Sequence, residues 1–230
     1  MKVNMTLLQR FMQNHAHPQG KMGKLVAWRL AKVNRQANAW AVDLLAIQPD
    51  DHVLEIGFGP GTAVAQLAAL AYQGRVCGVD SSAVMLQTAS RRNAATIAAG
   101  RVELRLAGIE RLPYPDASFA KALAVQVLNY LPDPLSGLRE VRRVLKPGGW
   151  VALFYEAPEK FARTRKILAA IYQPYSLDEG LALLQQAGFQ RTWYQVKTWW
   201  YGKGYCVLGE VLENQPSTNK GLEYTNSWSA

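Results

Sequence analysis

A strand-like run closing on three glycines at alternate positions, Val53-Leu-Glu-Ile-Gly57-Phe-Gly59-Pro-Gly61-Thr, limits the possible folds of this chain more than any other feature. His52-Val-Leu-Glu-Ile-Gly reads as a buried strand, and the alanine-rich segment from about Thr62 to Tyr72 reads as a helix. Glycines between the two let backbone amides approach a ligand without a Cβ in the way. Such a strand, turn and helix open an α/β fold whose site lies at the carboxyl edge of the sheet. Dinucleotide folds use G-x-G-x-x-G. Here the third glycine comes one position earlier, and Glu55 stands two residues before the first.

The rest of the chain continues the alternation, which argues for a parallel sheet covered on both faces by helices. Arg75 to Asp80 reads as the second strand. Ser81 and Ser82 can cap a helix running to about Ala99, with Gly100 past its end. Val102 to Ala107 and Lys121 to Val127 follow as strands, then a helix over Pro134 to Leu145. Lys146-Pro-Gly-Gly forces a turn before a fifth strand, Trp150 to Tyr155. Ser176-Leu-Asp-Glu opens a helix with a capping-box pattern that ends near Gly188. The last strands, near Phe189–Val196 and Tyr205–Gly209, have no helix between them, so an antiparallel pair through a loop around Gly202–Gly204 is expected. This divides the chain into a helical N-terminal lid segment (1–47), a ligand-binding domain (48–212) and a disordered tail (213–230).

With 49% hydrophobic residues the chain can bury a full core without staples. Its two cysteines, Cys77 and Cys206, fall in strand patterns and read as buried thiols of a reducing compartment, so the expected location is cytoplasmic. No Cys or His cluster has metal-ligand spacing, and the longest uncharged stretch is broken by glycines, so neither a metal site nor a membrane span is expected. The net charge of +9 is uneven, because residues 1–42 hold seven Lys or Arg and no acid. An organelle presequence, a solvated basic helix and a basic lid over an anionic group are all open readings of that segment. Arg139, Arg142, Arg143 and Lys146 read as a solvated helix face, so no nucleic-acid partner is expected. The oligomer is read as a monomer or homodimer.

Asp80 ends the second strand, 19 residues after Gly61, where a carboxylate can accept both hydroxyls of a ribose. Together with Asp80-Ser-Ser-Ala-Val-Met-Leu, Glu110-Arg-Leu-Pro-Tyr-Pro-Asp-Ala-Ser-Phe, Leu131-Pro-Asp-Pro and Leu145-Lys-Pro-Gly-Gly, the glycine loop resembles the class I S-adenosylmethionine (SAM)-dependent methyltransferases. The resemblance is strongest to the ubiquinone and menaquinone biosynthesis branch and covers roughly residues 38–210. It implies a Rossmann-like seven-stranded sheet with an antiparallel last strand, and SAM as the cofactor. It further implies that Gly57, Phe58, Gly59 and Gly61 form the cofactor loop, with Glu55 orienting it or the cofactor's ammonium group. Asp80 would hold the ribose, Ser81 and Met85 the adenine side, Gly108 and Ile109 the adenine edge, and Gln126 the methionine portion. Relatives often carry a polar side chain at the position of Gly108, so here the backbone or a neighbour would serve.

On the acceptor side, Asn129 and Tyr130 follow the fourth strand, and Tyr172 and Tyr175 lie in the stretch that commonly covers the acceptor pocket. The later aromatics, Trp193 to Tyr201, read mainly as core and hairpin packing. Of the histidines, His52 is at the wrong end of its strand, and His15 and His17 lie far from the motifs. The leading expectation is methyl transfer to a small-molecule acceptor, giving S-adenosylhomocysteine. Three alternatives stand beside it. The first is a SAM-cleaving cyclase on the same fold, in which SAM's own amine displaces methylthioadenosine and closes azetidine-2-carboxylate. The second is a non-catalytic SAM-binding subunit, and the third is a nicotinamide dehydrogenase, which the glycine spacing disfavours.

Overall fold

The computed structural model of the chain describes residues 34–161, 172–199 and 202–212. Expectations for residues 1–33, for Trp200 and Tyr201, and for the tail from 213 lie outside the described residues. Helix α1 (Arg35–Leu44) precedes β1 (His52–Ile56) and α2 (Thr62–Leu70). Then come β2 (Arg75–Asp80), α3 (Ala83–Arg92), α4 (Ala94–Ala98), β3 (Val102–Leu106) and β4 (Phe119–Val125). A 3₁₀ turn at Leu128–Tyr130, α5 (Pro134–Val144), β5 (Leu145–Glu156), α6 (Leu177–Gln186), β6 (Arg191–Trp199) and β7 (Gly202–Glu210) complete the order.

The seven strands form one sheet in the order β3-β2-β1-β4-β5-β7-β6. The first five run parallel, and β7 lies antiparallel between β5 and β6. The expected fold class and its antiparallel ending are therefore found. Side-chain alternation sorts the core onto both faces. Val53, Leu123, Ala152 and Phe154 join α1, α2 and α3 on one face. Leu54, Ile56, Leu153 and Tyr155 join α5 and α6 on the other. The chain crosses from the β1–β2–β3 half to the β4–β5 half between β1 and β4, and the crevice beyond their carboxyl ends is where α/β folds place ligands.

Four expectations change in detail. The helix expected from Ser82 to Ala99 breaks at Asn93, a buried residue whose Nδ2 donates to the carbonyls of Ala89 (2.9 Å) and Gly61 (3.1 Å). An amide side chain that competes for backbone carbonyls ends one helix and begins the next. Lys146-Pro-Gly-Gly is a bulged stretch inside a long β5, with a register shift opposite Phe119–Lys121. Gly202 and Gly204 sit inside β7, facing Trp199 and Lys197, because the hairpin strands are longer than their apolar pattern suggested. Trp199 packs edge-on against Trp40 and Phe154 at 5.5 and 5.9 Å, but Trp193 and Tyr194 are exposed on the edge strand and not packed as expected.

The basic face of α5 is also only partly solvated. Arg142 Nε donates to the Gly188 carbonyl at 2.8 Å. Arg143 pairs with Glu140 and Asp116 and donates to the carbonyls of Leu112 (3.2 Å) and Tyr114 (2.9 Å), tying the β3–β4 connection to α5. Arg143→Ala frees two carbonyls and two carboxylates at a half-exposed site, so a loss of about 1–2 kcal/mol is expected in chemical denaturation. Arg139→Ala, which makes none of these bonds, should leave the midpoint unchanged.

Candidate cofactor and acceptor site

The glycine loop is tied down from both sides. Gly57 and Phe58 donate to the Val79 carbonyl at 2.8 and 3.3 Å, and Gly59 N donates to Asp80 Oδ2 at 2.8 Å. From the outside, Arg92 Nε donates to the Pro60 carbonyl at 2.8 Å, and Asn93 holds that of Gly61. Gly57, Gly59 and Gly61 all have positive φ (64°, 51° and 73°), which a side chain rarely adopts. A Cβ on Gly57 would lie 2.5 Å from Val127 Cγ2, whereas one on Gly59 would come no nearer than 4.0 Å to anything. Gly59 is therefore the open point of the loop. The Phe58 ring is buried over Gly78, so only its backbone faces the crevice.

Asp80 joins the two halves of this half-site. Its Oδ1 accepts from Ser82 N at 2.8 Å while its Oδ2 holds Gly59. Carboxylate oxygens each accept more than one bond, so the geometry suits a ribose diol lying across them. Ser81 is exposed beside it, and Met85 is buried in the core with Ala89. Glu55 is the one charged residue buried among the described residues, at 3% exposure, and its Oε2 has no hydrogen-bond partner there. Burial first, and the nearby Asp80 carboxylate second, raise its pKa well above the usual carboxylate range.

That raised pKa has a stability consequence. A carboxyl whose pKa is higher in the fold than in the unfolded chain binds its proton more tightly there, so its contribution is complete below the unfolded pKa and falls as pH rises toward the folded one. The difference in unfolding free energy between wild type and Glu55→Gln should shift steadily in the mutant's favour above the ordinary carboxylate range. A pH-independent difference would show that Glu55 ionises normally.

On the side expected to meet adenine, Gly108 and Ile109 follow β3, next to Asp80, whose carbonyl accepts from Ala107 N at 3.1 Å. The Ile109 side chain turns into the core against Gly137. The space a Gly108 side chain would fill is taken by the carboxylate of Glu110, which reaches back over the glycine. Sequence reasoning missed Glu110, and its only signal was a carboxylate two residues beyond an unexpected glycine.

At the end of β4, Gln126 adopts φ 59° while its N–H bonds the Phe154 carbonyl at 2.8 Å. A non-glycine residue in that region is strained, and strain collects where ligands bind. Asn129 is 1% exposed; its carbonyl accepts from Gln173 N and its Nδ2 donates to the Gln173 carbonyl, both at 2.8 Å. Its Oδ1 has no partner among the described residues. Tyr130 and Tyr172 meet edge to face at 5.3 Å, whereas Tyr175 packs into the core beside α6. Burial, then the Glu156 carboxylate, push Tyr130 up to about 12, so its phenol stays protonated at neutral pH. Glu156, the last residue of β5, was also missed, although a carboxylate at the carboxyl end of a central strand is a readable signal. His52 lies exposed at the amino end of β1, and His15 and His17 lie outside the described residues. A hollow of about 160 Å³ beside Leu45, Trp150 and Trp193 borders Lys121 near the start of β4, so it is separate from this edge.

No group of three potential metal ligands occurs among the described residues, and no described helix is long and apolar enough to cross a membrane. Cys77 and Cys206 are both buried, which pushes their thiols up to about 11 and about 12.

Residues 54–153 match a family described as a methyltransferase domain. The methyltransferase YdaC of Bacillus subtilis, itself uncharacterized, is 30% identical over 62% of this chain and 76% of its own length. The ubiquinone/menaquinone biosynthesis C-methyltransferase UbiE of Geotalea daltonii is 28% identical over 56% of this chain and 55% of its own. The crystal structure of a SAM-dependent methyltransferase from Aquifex aeolicus superposes with a TM-score of 0.66 at 21% identity, over 81% of this chain and 97% of that one. Several other curated relatives are longer, and the chain spans 46%, 49% and 50% of three of them. The sheet order and its structural likeness thus define a Rossmann-like class I methyltransferase fold. The chain belongs to the SAM-dependent methyltransferases.

Proposed function

We propose that the chain transfers the methyl group of SAM to a small-molecule acceptor held at the carboxyl edge of β4 and β5. The observation that carries this reading is the glycine loop latched to Asp80, whose carboxylate oxygens hold the Gly59 and Ser82 amides and can accept further bonds from a diol. Gly57, Gly59 and Gly61 would hold the methionine end of SAM, Asp80 the ribose, and Glu110 with the backbone at Gly108 and Ile109 the adenine. When bound, SAM supplies a methyl group on a sulfonium that leaves by in-line displacement. The protein's part is to orient the acceptor and exclude water, which can supply much of the rate. With Tyr130 protonated, an acceptor whose nucleophile ionises readily, or is already neutral, suits this edge.

The cyclase reading is supported by one observation, the buried Asn129 Oδ1 with no partner among the described residues, which would accept from an amine of SAM itself. Mass spectrometry of the protein incubated with SAM, alone and with a metabolite extract, separates the two. S-adenosylhomocysteine appearing only with extract supports methyl transfer, while methylthioadenosine above background from SAM alone would replace it with the cyclase.

A further inference from the structure

The sheet has two outer edges, and they are built differently. At one edge β3 is five residues long, and its Glu103 is engaged by Arg75 of β2 and by Arg105 of β3 itself. A short strand carrying charges is a common guard against pairing with another chain. At the other edge β6 runs for nine residues, Arg191–Trp199, and pairs with β7 without a register shift from end to end. It contains no proline, and its Thr, Trp, Tyr and Val residues favour extended backbone. The outer row of its backbone amides and carbonyls is about 30 Å long. No described strand lies beyond it.

The side chains do not guard this edge either. Trp193, Tyr194 and Val196 are 37%, 49% and 43% exposed, and they project from both faces of the strand. Both charges of β6 are already engaged within the chain. Lys197 Nζ lies 5.7 Å from the Trp40 ring centre and 5.8 Å from that of Trp199, and Arg191 pairs with Glu210 of β7 at 3.3 Å.

What fits the edge follows from the order of its residues. Two copies of this strand, antiparallel about a two-fold axis, overlap along their full length only when the midpoint, Gln195, faces itself. That register sets Arg191 against Trp199 and Trp193 against Lys197 on one face. On the other it sets Tyr194 against Val196 and Thr192 against Thr198. Each cation meets an aromatic ring, each tyrosine a β-branched side chain and each threonine another, all favourable cross-strand pairs. Centring one residue earlier, on Tyr194, would set Arg191 against Lys197 and leave the end of the strand unmatched.

We propose that the β6 edge is the docking surface for a second copy of this chain, paired antiparallel about Gln195 so that two sheets become one. The partner is the same strand, because its own sequence supplies the complement to each of its exposed groups. The glycine loop and Asp80 stand at β1 and β2, in the far half of the sheet, so the pairing leaves both crevices open and does not depend on the proposed chemistry.

Sedimentation equilibrium of the full chain over a micromolar range of concentration should show a dimer. Gln195 is exposed, and Gln195→Lys sets two lysines face to face beside the two copies of Lys197. The dissociation constant should rise about tenfold or more, with an unchanged circular dichroism spectrum showing that the fold is kept. Crosslinking reads the register. The chain's two cysteines, Cys77 and Cys206, are buried, so an added surface thiol reacts alone. Under copper–phenanthroline oxidation, Gln195→Cys should join two chains. Thr198→Cys should not, because its two copies would stand about 20 Å apart. Thr192→Cys and Thr198→Cys combined in one chain should crosslink again. A monomer throughout the range, with the edge bare or covered by another segment of the chain, overturns the inference. So does a dimer that Gln195→Lys leaves intact, or one in which Thr198→Cys alone crosslinks as fast as Gln195→Cys.

Discussion

Asp80→Ala should cost the protein at least about 100-fold in affinity for S-adenosylhomocysteine, because hydrogen bonds to a charged group are worth about 1.5–3 kcal/mol each and two or more vanish together. The carboxylate acts before any ligand arrives. It holds the Gly59 amide on one oxygen and the Ser82 amide on the other, so it sets the distance between the glycine loop and the start of α3. Removing it takes away the proposed ribose acceptors and also leaves the loop without its inner latch. Asp80→Asn keeps the shape but can offer an acceptor to only one of the two amides, and an intermediate loss is expected. Calorimetry reads the affinity, and a thermal melt of the free protein shows how much of the change belongs to the loop. Full affinity in Asp80→Ala would mean that the ligand binds elsewhere.

The second large effect separates the two uses of glycine in one loop. Gly61→Ala places a Cβ at φ 73°, 2.6 Å from Asn93 Nδ2, 2.7 Å from Ala89 Cβ and 2.9 Å from the Ala89 Cα. The last of these is backbone, so it cannot swing aside. Backbone strain and overpacking together should cost about 2–4 kcal/mol of stability. Adding Ala89→Gly should restore only part of it, because the clash with the helix backbone at position 89 and the positive φ both persist. Gly59→Ala has nothing closer than 4.0 Å and should cost only about 1–2 kcal/mol, from φ alone. Its larger effect should be on ligand affinity, because that added methyl stands where the loop is open. Equal losses of stability in the two mutants would mean that α3 does not press on the loop as described.

Much of this site could be read from residue order because its determinants are local. The glycine spacing, Asp80 at a strand end and the Ser176–Glu179 capping box each declare themselves within a few residues, and the capping box is found closed at both ends. The interactions that escaped are between elements distant in sequence. Asn93 looked like one more polar residue in a helix until it met Gly61, 32 residues away. Arg143 looked solvated until the β3–β4 connection folded over it. Glu110 was hidden by a reversal of the chain over Gly108, and Glu156 by an apolar run that stops one residue short of the strand's end. The core and hairpin packing expected of the later aromatics fails for Trp193 and Tyr194, because an edge strand has a neighbour on one side only and these side chains gain little cover.

The position of β7 bears on how the molecule comes into being. During synthesis, β5 leaves the ribosome long before the strand that pairs with it, since β7 begins at Gly202 and inserts between β5 and the already translated β6. The half of the sheet that carries Asp80 and the glycine loop has all its strand partners by Val125, so it can form first from nearby segments. The β4–β5 half cannot gain its antiparallel partner until nearly the last described residue is made, when Gly204 comes to lie beside Glu156. A nascent chain paused near residue 200 would therefore hold a nearly finished β3-β2-β1-β4 half with its glycine loop beside an open β5 edge, the species most prone to capture by a chaperone or by another such chain.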